Sequence, residues 1–246
     1  MFILFLCLFI TINSTGSEVH AAPRIKLILA VNDLPAYTKL HRDVYKAVNQ
    51  QSDKFEFVLE FLPNRRTFIM ANNGLVDGVA MKPDSLDPGE LSNLIPISTP
   101  IYAANSIVAI HQESQDIPDQ KALQKYTVAL INGAIHAMNL VPPGQRVFVN
   151  SHLSGLLMVA HERIPAMLTL DIPYYTTTYE SRDVASKTRL ATFTRRIPFY
   201  IFVHRKHLLL IPELEALLKK VAASGAAQNV YDSIVDDLKK DLSLKK

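Results

Sequence analysis

Cysteine is nearly absent from this chain of 246 residues: Cys7 is the only one. It lies in an amino-terminal segment that reads as removed on export, so the mature chain has neither a disulfide framework nor a thiolate nucleophile. Charge of one sign is also missing. Lys and Arg total 26 against 23 Asp and Glu, with no long basic stripe, which argues against the electrostatic footprint of a nucleic-acid binder. There is no HExxH, no GxSxG and no phosphate-cradling glycine loop. The eight histidines are scattered; His204 and His207, in HRKH, have only weak metal spacing and read as surface residues. Neither a metal nor a cofactor is expected. Finally, no apolar run reaches the roughly 20 residues of a membrane-spanning helix.

The residues that are present describe an exported α/β protein. With 48% hydrophobic residues the chain can bury one large core or two smaller ones, and disorder is disfavoured. MFILFLCLFITI, followed by polar NSTGSE and small-residue VHAAP, reads as a signal peptide over residues 1–21, cleaved after Ala21. An uncleaved anchor is the alternative, because no Lys or Arg precedes the run. Cleavage removes Glu18 and leaves 26 basic against 22 acidic residues, a formal charge of +4.

RIKLILAV, from Arg24, has the length of a buried strand and ends in the turn residues of NDLPAY. LHRDVYKAVNQQ places Leu40, Val44, Ala47 and Val48 at helical spacing. FEFVLEFL is a second strand, ending at Pro63. NRRTFIMANNG is the next helix, with Asn64 as N-cap and Gly74 as its stop, and VDGVAM is the third strand. Strand–helix alternation of this kind implies a parallel sheet with right-handed crossovers.

MKPDSLDPGELSN reads as a loop, and LIPIST and NSIVAIHQ as two short strands around STPIY. Polar HQESQDIPDQ marks a boundary near residues 111–120. A second unit then opens with strands at YTVALING and RVFVN, a helix at SHLSGLLMVAHERI capped by Ser151 or Asn150, and a strand at AMLTLDI. PYYTTTYESRD carries no clear pattern, and RLATF is a candidate strand leading back toward the first unit. IPFYIFVHRK is strongly β-prone, PELEALLKKVAASG is an amphipathic helix between Pro212 and Gly225, and AAQNVYDSIVDDLKKDL is a last helix.

Three of these stretches resemble the periplasmic solute-binding proteins of the family 3 type, the amino-acid receptors of ABC importers. NRRTFIMANNGLVDGVAM is similar to that family's first-lobe helix and "VDG" strand, ISTPIY to its cleft-lining "FS.PY" segment, and IPFYIFVHRKHLLLIPELEALLKKVAASGAAQNVYDS to its carboxy-terminal return to the first lobe. The resemblance implies a two-lobed α/β fold, each lobe a mostly parallel sheet flanked by helices, with a ligand cleft between lobes. Lobe one would comprise residues 22–110 and 195–246, and lobe two residues 111–194. It also implies a periplasmic, monomeric, non-enzymatic protein that presents a small polar or anionic solute, such as an amino acid, to a membrane permease or sensor.

Ligands in open α/β sheets sit beyond the carboxyl ends of strands, where helix N-termini offer free N–H groups. On that geometry the candidate ligand contacts are Asn32, Asp33 and Tyr37 after the first strand and Ser98, Thr99 and Tyr102 in ISTPIY. Asn132 and His136 follow the first lobe-two strand, and Ser151 with His152 opens the helix after RVFVN. Asn32 and Asp33 equally suit a turn, and Ser151 a cap. Arg65 and Arg66 stand at a helix start, where cations oppose the macrodipole; a ligand carboxylate would compensate them, as would water or a bridge to Glu60. Asp77 and Gly78 read as shaping the strand end.

Two departures from the amino-acid-receptor pattern matter. PGELSNLIPISTPIY lacks the family's carboxylate-gripping Arg, and ERIPAM carries Pro165 where the family's ammonium-holding Asp stands in lobe two; Asp171 is a substitute at different spacing. Two other functions stay open. One is a sensory or accessory protein regulating a membrane partner. The other is an enzyme of the same fold, for which His136, His152 and Asp171 are the only candidate acids and bases.

Overall fold

The computed structural model describes residues 23–83 and 92–244, without the side chains of Asn64, Arg65 and Ile135. The signal segment with Cys7, and part of the MKPDSLDPGELSN loop, lie outside the described residues.

The first half has the expected alternation: β1 (Ile25–Asn32), α1 (Pro35–Gln50), β2 (Phe55–Leu62), α2 (Asn64–Asn72) and β3 (Gly78–Pro83), with β1 pairing in parallel to both β2 and β3. α1 begins with Pro35 in its first turn, where a missing N–H costs nothing, and buries Leu40, His41, Val44, Tyr45 and Val48. Asn64, expected as the N-cap of α2, is instead its first helical residue. Pro63 holds the cap position, because its carbonyl accepts from the backbone N–H of Arg66 at 2.8 Å and of Thr67 at 3.2 Å.

The chain continues through β4 (Leu94–Pro96), β5 (Tyr102–His111), α3 (Gln120–Leu123), β6 (Val128–Ile131), α4 (Ile135–Met138), β7 (Arg146–Val149), α5 (His152–Ala160) and β8 (Ala166–Leu170). The unpatterned stretch after β8 forms α6 (Asp171–Glu180) and α7 (Arg182–Lys187), and β9 (Thr188–His204), α8 (Ile211–Ser224) and α9 (Ala226–Leu244) complete the fold. AMLTLDI is therefore shorter as a strand than its composition suggests: Asp171 and Ile172 open α6. Gly225 ends α8 in the left-handed region, at φ 68°, a conformation that glycine adopts without a Cβ clash.

The strands make one sheet in the order β2-β1-β3-β9-β5-β8-β6-β7, with β4 added against β9. β6 runs parallel to β7 and β8, whereas β5 and β9 are antiparallel to their neighbours and bridge the two parallel halves. RLATF and IPFYIFVHRK, which read as separate strands, are one 17-residue strand with Pro198 inside it. A proline cannot donate to the ladder. Its cross-strand partner Ala103 is satisfied otherwise: Gln228 Oε1 accepts from the Ala103 N–H at 2.9 Å, and Arg196 and Gln228 side chains donate to its carbonyl.

Both faces of the sheet are covered. In the second half Ile107, Ala129 and Met167 face one core and their neighbours Val108, Leu130 and Leu168 the other. In the first half Leu29 and Ile201 face the larger core with Tyr45, Leu218 and Tyr231, while Ala30 and Phe202 face the opposite side. Strands buried on both faces read as continuous apolar runs rather than alternations, which is why RIKLILAV and AMLTL look alike in sequence.

The VDG stretch is a latch. Asp77 accepts from the Ile28 N–H at 2.8 Å and, through its other oxygen, from Lys206 at 2.9 Å, with His207 Nε2 at 2.7 Å. Its carboxyl is held below the ordinary range by those donors, against the opposing effect of burial. His207 is thus a hydrogen-bond partner of Asp77 rather than a plain surface residue. Gly78 has no room for a side chain, since a Cβ there would lie 2.2 Å from the Phe202 carbonyl oxygen.

Candidate functional site

The carboxyl ends of β1, β3, β6 and β8 converge on a cleft of about 170 Å³, where the chain topology of open α/β sheets leaves a crevice for ligands. One wall comes from the half built on β1: Asn32, Leu34, Tyr37 and His41 from the β1–α1 junction, Phe68 of α2, Ala80 to Pro83 of β3, Tyr102 of β5 and Phe199 of β9. The other comes from the half built on β6: Ile131 to Ala134, His136, His152 and Leu168 to Leu170.

Lys82 is the most consequential residue of the first wall, and the sequence reading assigned it to a loop. It is 5% exposed. Its ammonium donates to Asn32 Oδ1 at 2.6 Å and sits 4.5 Å from the centroid of the Phe68 ring, a cation–π distance. Burial lowers its pKa to about 7. Its position depends on an irregularity: the β3–β9 register shifts between Val79 and Lys82, and Met81 in that interval takes φ 54°. Bulges re-aim the residues that follow them, and a non-glycine residue at positive φ is the kind of local strain that clusters at functional sites.

The second wall is neutral and incompletely satisfied. Thr169 Oγ1, 3% exposed as a residue, and His136 Nε2 find no hydrogen-bond partner among the described residues, and neither does His41 Nδ1 on the facing wall. Buried polar atoms without partners are rare and call for an occupant, a ligand or water. His136 and His152 are each pushed down to about 4 by burial; His41 reaches about 4 by burial and, secondarily, by the nearby Lys82 charge. All three are neutral imidazoles at pH 7, so they can donate or accept but carry no charge.

Tyr102 lines the cleft with a ring already engaged. It stacks on Phe199, its cross-strand partner in β9, at 5.2 Å between centroids and 2° between planes, and on Tyr231 at 5.4 Å. A stacking face for a solute is therefore not what it offers. Behind it Asp171 accepts from Tyr231 and Asn105 and from the Ile172 N–H. Burial nevertheless raises its carboxyl above the ordinary value.

Asn32, Tyr37, Tyr102, Asn132, His136 and His152 among the sequence candidates meet in the cleft lining. Others lie elsewhere. Asp33 is exposed outside the lining, and Arg66 is exposed in the first turn of α2; the Arg65 side chain lies outside the described residues. Ser98 and Thr99 donate to Glu215 of α8, and Ser151 caps α5, its hydroxyl accepting from the Ser154 N–H at 3.1 Å. Lys82, His41, Phe68, Thr169 and Phe199 were missed. The usable signal for Lys82 was a lone cation ending the apolar strand VDGVAMK, at the end of a strand where ligands are met.

No protein-family model matches the sequence, and neither does any curated relative. Solved structures do match in fold. An amino acid ABC transporter substrate-binding protein, AbpA from Streptococcus pneumoniae, bound to L-arginine, shares 14% identity at a TM-score of 0.60, covering 88% of this chain and 95% of its own. A histidine kinase sensor domain with similarity to periplasmic binding proteins shares 12% at 0.61, covering 85% and 96%. The periplasmic VFT2 domain of BvgS from Bordetella pertussis shares 18% at 0.61, covering 87% and 93%. The chain has the two-lobed α/β fold of periplasmic solute-binding proteins, as the sequence resemblance implied.

Proposed function

We propose that this protein is a periplasmic solute-binding module, a monomer that closes lobe two (residues 111–194) on lobe one (residues 22–110 and 195–246) around a small solute and presents it to a membrane transporter. The observation that carries this reading is the cleft itself: both halves supply its lining, and buried atoms there, Thr169 Oγ1 above all, have donors or acceptors to spend. Asn32, Tyr37, Tyr102, Asn132, His136 and His152 are the contacts first inferred from sequence, and Lys82, His41 and Thr169 join them. Catalysis has less support, because the three histidines are far from a proton-transfer pKa at neutral pH and Asp171 is occupied by Tyr231, Asn105 and Ile172.

A sensory role is a second reading, favoured by the likeness to a histidine kinase sensor domain and to the BvgS domain. Thermal-shift screening of the purified protein against amino acids, polyamines, organic acids and sugars tests the shared premise, since a ligand that binds only the folded state raises the melting temperature. A saturable rise with one class is expected. Cross-linking in membranes then separates the roles, the expected partner being a permease for transport and a kinase or other receptor for sensing.

A further inference from the structure

We propose that the outer edge of β2 is a docking strip for an extended acidic segment of a partner protein, which adds to the sheet as one more strand. The strip lies apart from the cleft, at one end of the strand order, so a partner seated there leaves the solute site open.

The backbone comes first. Among the described strands β2 pairs with β1 alone and so forms an edge of the sheet. The first half of that edge is covered by side chains. Asn49 donates to the Phe57 carbonyl at 2.9 Å and accepts from the Phe57 N–H at 2.8 Å, and Ser52 Oγ accepts from the Phe55 N–H at 2.8 Å. The peptide groups of Phe57 therefore point away from β1. Successive residues of a strand in a parallel pair turn their N–H and C=O to opposite sides, so Leu59 and Phe61 point theirs outward as well, beyond the reach of the Asn49 cover. Outward edge groups are a template for another strand, and strand addition draws its affinity from such main-chain bonds.

Side chains decide which strand fits. Arg42, Tyr45, Lys46, Phe57, Leu59 and Phe61 line an open groove of about 550 Å³ along this edge. Arg42 and Lys46 are exposed, one turn apart on α1, and the Arg42 guanidinium lies 5.1 Å from the centroid of the Phe61 ring. Asp43, between them in sequence, is bonded to Lys39. Phe57, Leu59 and Phe61 pack into the core under α1, so alternation places Glu56 and Glu60 on the opposite face of the sheet. An added strand alternates too. The segment that fits carries Asp or Glu at every second position, on the side of Arg42 and Lys46, with uncharged residues between, because opposite charges on one face stabilise a strand pair and like charges destabilise it. The same rule disfavours a second copy of this chain: two β2 strands paired antiparallel would bring both sets of cations to one face and both sets of glutamates to the other.

The test is an amide NMR titration of the purified protein with acetylated, amidated hexapeptides: one of alternating Glu and Thr, one of alternating Lys and Thr, and a block isomer with all its Glu ahead of all its Thr. The alternating acidic peptide is expected to shift the Leu59 and Phe61 amide signals saturably and to bind about tenfold more tightly than the other two. Leu59→Pro removes one outward N–H at a position where an edge strand tolerates proline; it is expected to abolish binding while the circular dichroism spectrum stays unchanged. Arg42→Glu combined with Lys46→Glu is expected to turn the preference toward the Lys peptide, and it decides the matter should Leu59→Pro misfold. Equal binding of the block isomer would reduce the strip to a charged surface and overturn strand pairing. Equal or tighter binding of the Lys peptide, shifts confined to other residues, or no shift with any peptide overturns the docking strip altogether. Self-association that Leu59→Pro abolishes would give the edge to a second copy and overturn the acidic partner. Each of these results leaves the solute-binding reading standing, since the ligand screen tests that separately.

Discussion

The two walls of the cleft differ in how finished they are. On the β1 side the groups are largely engaged, His41 Nδ1 excepted: Lys82 donates to Asn32 and faces Phe68, the His41 ring stacks with Tyr37 at 5.9 Å, and Tyr102 stacks on Phe199 and Tyr231. On the β6 side Thr169 and His136 keep polar atoms in reserve. The contrast teaches that the first wall is preorganised by its own packing, whereas the second gains its hydrogen bonds only when something occupies the space between. Preorganisation of one wall reduces the ordering cost of binding, and the unsatisfied atoms of the other are a stability cost that a ligand removes.

The largest way to break this contrast is Tyr102→Ala. It removes a 5% exposed ring from between two others, so a loss of about 3–5 kcal/mol of unfolding free energy is expected, read by urea denaturation. Tyr102→Phe retains the stacked ring and is expected to cost far less; equal losses would show that the phenol rather than the stack supports the wall.

Next is pH. The lysine is lowered from its ordinary value to about 7 by burial, with His41, already neutral above about 4, as a titratable neighbour among the described residues. A depressed lysine penalises folding below its folded pKa, and the penalty is relieved as pH rises from about 7 toward the unfolded value near 10.5, so this site makes the protein more stable across that window. Lys82→Met is expected to flatten that rise, read by urea denaturation at pH 6 to 9.

Thr169→Val sharpens the view of the second wall. Replacing an unpartnered hydroxyl by a methyl group is expected to leave stability unchanged or raise it by about 1 kcal/mol, while affinity for a ligand that uses the hydroxyl falls about tenfold; stability falling together with affinity would mean the hydroxyl is already bonded in the free protein. The smallest effect belongs to Ser151→Ala, which removes the α5 cap and is expected to cost about 1 kcal/mol without altering affinity, measured by the same two methods.

Much of the fold was legible because local chemistry agrees with it. FEFVLEFL is β2 to the residue, Gly225 stops α8, and Ser151 caps α5. PYYTTTYESRD was not legible: α6 is rich in β-branched and aromatic residues, whose propensity for helix is low, and burial of Ile172, Tyr174 and Thr178 overrides it. For the site, loop-end polar residues such as Asn32 and Asn132 could be nominated from strand ends, but Ser98 and Thr99, which share the ISTPIY segment with Tyr102, turn to Glu215 instead.

The pattern of apolar runs and turn residues determined the succession of strands and helices, because each run records which faces of an element avoid water. Which polar residue ends up in the crevice was decided only by tertiary structure. Lys82 stands in a stretch that reads as a loop, and it reaches the cleft because β3 slips its register against β9, a strand more than a hundred residues distant in the chain, at Met81. Pairing between segments so far apart is set by the whole sheet, and no local pattern encodes it.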